Sequence, residues 1–110
     1  MTEVLLADDD PGTVALDPAR VVPRLVAGHA TRHPERPFLV EVTGRAVSYG
    51  ETWDAVRRWC TWLTGRGVRP GDRVISMLPA SVDAALLWLA TGCLRAIEVP
   101  VNPELRGEFL

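Results

Sequence analysis

An α/β fold made of an N-terminal helix, a β-hairpin and a βαβ unit is what these 110 residues predict. Three observations carry it. Ser48, Tyr49, Gly50 and Glu51 form a capping box: the Ser48 hydroxyl can accept from the Glu51 N–H while the Glu51 carboxylate reaches back to the Ser48 N–H. Two short apolar runs, 73–78 and 96–101, flank an apolar helical stretch, which is the spacing of parallel strands joined by a right-handed crossover helix. Hydrophobic residues make up 47% of the chain and charged ones 24%, enough apolar material for a packed core.

Taken in order, residues 1–16 read as an acidic, flexible leader and 17–110 as the folded part. Asp8, Asp9 and Asp10 lack the downstream glutamate of a calcium loop and read as a solvated charge run. Asp17-Pro18 and Pro23 suit only the start of a helix, and Val22, Leu25, Val26, His29 and His33 then recur at helical spacing until Pro34 stops it. His29 and His33, four residues apart, could share a metal, but no third ligand is near them in sequence. Residues 38–42 and 46–47 read as the strands of a hairpin, with Gly44-Arg45 as a two-residue turn. The helix opened at Ser48 carries Val56, Trp59, Cys60 and Leu63 on one stripe, with Trp53 one turn earlier. Asp54, Arg57 and Arg58 fall on the other face, so the tryptophans read as core.

Gly65, Gly67 and Gly71 follow closely. A phosphate-cradling loop follows a strand and opens a helix; here the helix comes first, so the glycines end it and Pro70-Gly71 turns the chain. All twelve basic residues are arginine, which excludes a lysine-containing P-loop. A net charge of −2 offers no footprint for nucleic acid. Cys60 and Cys93 show no paired spacing and read as buried free thiols of a reducing compartment. The acidic N-terminus is not a secretory signal, and Asp83, Arg95 and Glu98 interrupt the most apolar window, so no membrane span and a cytoplasmic location are expected. Continuous apolar strands such as 74–78 call for a sheet covered on both faces. Asn102, Pro103 and Glu104 read as the cap and first turn of a further helix, with Leu105 and Phe109 as partners. That helix would have barely begun at Leu110, so the chain is expected to be the truncated front of a longer protein.

The ordered set of Ser48-Tyr49-x-Glu51, GVRPGDRV at 67–74, Leu78-Pro79 and VPVNP at 99–103 resembles the N-terminal stretch of the acyl-adenylate-forming (AMP-binding) enzymes, the group that includes acyl-CoA synthetases and peptide-synthetase adenylation domains. The resemblance implies an incomplete part of that family's large N-terminal domain. It also implies a two-step activity for the parent: activation of a fatty or carnitine-like carboxylic acid by ATP with magnesium to an acyl-adenylate, then transfer to CoA. The family's phosphate loop, its ribose and metal contacts and its lysines lie further on. No catalytic, cofactor-binding or metal-binding residue is therefore assigned here, and ATP, CoA and magnesium are expected to bind the parent and not this chain. Where members usually carry Gly-Ala, this chain has Arg95-Ala96, a departure that leans toward CoA ligation. Two readings compete with an inactive enzyme fragment, which is itself expected to self-associate through exposed apolar surface: a non-catalytic small α/β interaction module derived from that scaffold, and a short enzyme using His29 or Glu51 as acid or base. Glu51 is better explained as a cap, and no nucleophile–base pair can be assembled.

Overall fold

The computed structural model describes residues 3–5, 13–15 and 21–109. Its elements run β1 (Glu3–Leu5), β2 (Thr13–Ala15), α1 (Val22–Arg32), β3 (Pro37–Val40), β4 (Ala46–Ser48), α2 (Tyr49–Gly65), β5 (Arg73–Ser76), α3 (Val82–Cys93), β6 (Ile97–Pro100) and a 3₁₀ turn (Gly107–Phe109). β1 and β2 pair antiparallel, with Val4 opposite Val14, inside the segment read as an acidic, flexible leader. The three aspartates at 8–10, the Asp17-Pro18 step and Leu110 lie outside the described residues.

α1 starts with Pro23 in its first turn, where a missing N–H costs nothing, and ends with His33 as its cap. Of its apolar stripe only Val26 is buried; Val22 and Leu25 stay exposed. β3 and β4 form the hairpin with Leu39 opposite Val47, but its turn differs from expectation. The Gly44 N–H donates to Glu41 O and the Glu41 N–H to Arg45 O, so Val42, Thr43 and Gly44 make a three-residue loop. Gly44, at φ +103°, is the left-handed closing residue and not the first of two central ones.

The capping box at Ser48 is complete: Glu51 N–H to Ser48 Oγ at 3.1 Å and Ser48 N–H to Glu51 Oε1 at 3.0 Å. From it α2 runs between α1 and α3. Val56, Leu63 and Thr52 are its buried residues, whereas Trp59 and Cys60 are half-buried, because the stripe rotates Thr52 into the seam ahead of the tryptophans. The core is closed by Val26 from α1 and by Val82, Leu86, Leu87, Leu89 and Ala90 from α3.

β5 and β6 pair parallel, Val74 opposite Glu98 and Ile75 opposite Val99, with α3 as their crossover. Period-two alternation turns Ser76 and Glu98 toward α3 and leaves Ile75, Ile97 and Val99 on the opposite face, 73%, 49% and 37% exposed. The sheet is thus covered on one face among the described residues, not on both. The helix expected after Asn102 is absent as well. Asn102 Oδ1 accepts from the Glu104 N–H at 2.9 Å, the Leu105 N–H donates to Asn102 O, and Gly107 takes φ +58°. Asn102 uses its side chain for a tight turn rather than a helix cap, and the left-handed glycine prevents the turn from propagating.

Candidate functional site

Anion chemistry in an α/β fold is sought first at helix N-termini, where unpaired N–H groups face outward. In α2 and α3 these are already used by the protein's own oxygens. Ser48 and Glu51 close α2. At α3 the Ser81 hydroxyl accepts from the Ala84 N–H at 3.2 Å, and Glu41 Oε1, reaching over from the hairpin loop, accepts from the Val82 N–H at 2.8 Å. Arg45 holds this carboxylate in place, 3.8 Å from Glu41 and 3.5 Å from Asp83. The Val82 N–H is the main cause that lowers the Glu41 pKa, opposed by partial desolvation and helped by the Thr43 hydroxyl and Arg45. Glu51 is lowered in the same way by the Ser48 N–H and hydroxyl.

The glycine-rich stretch ends a helix and makes a turn. The Gly67 N–H donates to Thr64 O and the Val68 N–H to Leu63 O, while Asp72 closes the next turn, its N–H to Arg69 O and its carboxylate accepting from the Arg69 N–H at 2.8 Å. No N–H cradle is left for a phosphate there.

On the helix-covered face of the sheet Ser76 donates to Glu98 Oε1 at 2.7 Å. Among the described residues Glu98 is the one charged residue lining a groove of about 380 Å³ between Val22, Pro23, Trp88, Leu89 and Pro100. Thr91, also in that wall, is 1% exposed and donates to Leu87 O or Trp88 O. The groove can hold an apolar group, but its polar atoms serve the fold and supply no nucleophile–base pair.

Neither histidine is brought into a site. His29 packs against Tyr49, ring centroids 5.0 Å apart, and Tyr49 stacks on Phe38 at 4.4 Å. His33 is exposed at the end of α1. No three His, Cys, Asp or Glu side chains converge among the described residues. Cys60 and Cys93, distant in sequence, are brought together across the α2–α3 seam. Cys60 donates to Ala90 O at 3.6 Å, and each thiol perturbs the other. Burial is the larger cause that raises both, Cys93 to about 11, so both stay protonated at neutral pH.

Three features escaped the sequence reading. Glu41 caps a helix 41 residues further on, and Glu98 turns inward to Ser76. Arg95 has φ +56°, and no other non-glycine among the described residues is left-handed. The Gly-to-Arg departure at 95 was the visible signal for the last, since a glycine habitually found after a helix marks a left-handed position.

Compared with known proteins, residues 26–110 match the family model described as AMP-binding enzyme. The chain is 33% identical over 92 residues to the probable nonribosomal peptide synthetase CymA of Salinispora arenicola, covering 84% of this chain and 1% of that protein. It is 32% identical over 85 residues to a 4-chlorobenzoate–CoA ligase of Arthrobacter sp, covering 76% and 16%. Among solved structures it superimposes on Mycobacterium tuberculosis fatty acyl CoA synthetase with a TM-score of 0.69 and 30% identity, over 76% of this chain and 17% of that one. The chain therefore spans less than a fifth of the length of each of these three. No helix among the described residues is long and apolar enough to cross a membrane.

Proposed function

The chain belongs to the AMP-binding enzyme family, and from that premise we propose that it is the leading part of the large N-terminal domain of an ATP-dependent acyl-CoA ligase of the cytoplasm. In the whole protein a fatty or carnitine-like carboxylic acid attacks the α-phosphate of ATP, with magnesium balancing charge. Pyrophosphate leaves, and the thiol of CoA then displaces AMP from the acyl-adenylate. The observation that carries this reading is that one family model runs through the elements from α1 to the 3₁₀ turn. The described helix N-termini of α2 and α3 and the glycine-rich turn offer no open N–H cradle for the triphosphate of ATP. The N-termini of α2 and α3 are filled by Ser48, Glu51, Ser81 and Glu41, no acidic cluster is present among the described residues, and the chain has no lysine. Its part in the activity is to build the scaffold that carries the reacting groups.

Carboxylate-dependent exchange of labelled pyrophosphate into ATP tests this directly. The 110-residue chain alone is expected to show none, and exchange above background would refute its scaffold role. Reading the gene beyond codon 110 is the complementary test. An open frame leading to a glycine-, serine- and threonine-rich loop ending in lysine supports the ligase. A second reading is a non-catalytic module derived from that scaffold, against which the exposed face of Ile75, Ile97 and Val99 counts, since open apolar surface invites association. Sedimentation of the chain at several concentrations separates the two: the fragment is expected to self-associate through that face, and a monodisperse, cooperatively melting monomer would favour the module.

A further inference from the structure

Arg95 sits where the backbone favours glycine. It follows the Leu94 cap of α3 at φ +56°, its N–H donates to Gly92 O, and the Ala96 N–H donates to Thr91 O. A side chain at this position adds strain that glycine would avoid, and such strain is retained where the side chain is used. Its surroundings show a use. Arg95 lines a groove of about 650 Å³ whose other walls include Pro23, Arg24, Ala27, Trp53 and Cys93. Among the described residues no carboxylate lines that groove, and neither Arg24 nor Arg95 pairs with an acidic side chain. Two arginines from different elements, α3's end and α1's first turn, thus line one depression together with Trp53. The volume falls within the range of about 300–1,000 Å³ usual for small-ligand sites.

We infer that Arg24, Arg95 and Trp53 form a binding site for a small organic anion, a carboxylate or phosphate ester joined to a flat apolar group. The planar forks of the arginines match two oxygens of such an anion, and the indole offers its flat partner an apolar surface. This site does not depend on the acyl-activation reading.

The test is a titration followed by heteronuclear NMR of the arginine side-chain and tryptophan indole signals. Phenyl phosphate is the probe, with inorganic phosphate and phenol as its two halves, and benzoate to distinguish a carboxylate from a phosphate ligand. Wild-type protein is expected to bind phenyl phosphate or benzoate saturably, at least about tenfold more tightly than either half. Arg95→Gly is expected to weaken binding at least about tenfold while raising the melting temperature, so that lost affinity cannot be ascribed to lost fold. Arg24→Gln is expected to weaken it without the gain in stability. Absence of saturable binding by the wild type, equal binding of inorganic phosphate, or unchanged affinity in Arg95→Gly would each overturn the site.

Discussion

The last turns of α2 and α3 close with the same pair of backbone hydrogen bonds and are otherwise built in opposite ways. After α2, Gly67 takes φ +90°, its N–H and that of Val68 return to Thr64 O and Leu63 O, and Val68 packs against the core to which Leu63 belongs. This is a helix stop made locally, from a glycine and an apolar clasp. After α3 the same bonds run to Gly92 O and Thr91 O, but the left-handed residue is Arg95, and Thr91 and Ala96 offer no comparable clasp. Here the stop is held from outside: the Gly71 N–H donates to Arg95 O at 2.9 Å and the Ile97 N–H to Asp72 O at 2.8 Å. One end is specified by its own sequence, the other by the turn and strand it meets.

Removing the clasp tests the first half of that contrast with the largest effect. Leu63 is 4% exposed, and Leu63→Ala is expected to cost about 2–5 kcal/mol in denaturant unfolding. Next comes Gly67→Val, which forces a β-branched residue to positive φ and is expected to cost about 1–3 kcal/mol. A loss no greater than that of an ordinary surface substitution would mean that the α2 stop, too, is held from outside.

The same contrast explains what was legible in the sequence. Features made by neighbours in the chain could be read: the capping box at Ser48 and the stop after Gly65 rest on contacts a few residues apart, and the order of the βαβ unit on the apolar pattern of each segment in turn. Features made by partners far along the chain could not. Glu41 reaching Val82, Glu98 meeting Ser76 and Cys60 meeting Cys93 leave no local spacing to detect. The hairpin turn and the segment after Asn102 failed for another reason. Gly44 and Asn102 each suit two local geometries, and hydrogen bonds to Glu41, Arg45 and Glu104 decide between them. Of a candidate site the sequence showed only the odd arginine at 95, whose meaning depends on a backbone angle that composition does not contain.

Arg95→Gly sharpens the comparison in the opposite direction. It relieves the one strained helix end and is expected to stabilise the fold by about 1 kcal/mol, raising the melting temperature. Thr52→Val is a control of similar size away from both ends. Among the described residues the Thr52 hydroxyl is buried without a partner, so the isosteric change is expected to be neutral or to gain up to about 1 kcal/mol. A destabilising Arg95→Gly would show that the guanidinium contributes more to the fold than its backbone angle costs.

The helix starts repeat the local-against-remote division, and acid titration reads it with the smallest effect. Glu51 caps its own helix from three residues away, and Glu41 caps α3 from the hairpin; both carboxylates have pKa values lowered from the ordinary 4.5. A carboxyl lowered in the folded state adds stability that is fully present above its unfolded pKa and is lost as pH falls through the folded one. Melting temperature should therefore decline on acidification below about pH 4.5. Glu41→Gln and Glu51→Gln should each flatten part of that decline, because glutamine can still accept a hydrogen bond but cannot be protonated away. Both effects should shrink in salt, and that of Glu41 should shrink more, since Arg45 adds a partly exposed charge pair to it. Identical acid limbs in the wild type and both variants would show that neither carboxylate is coupled to folding.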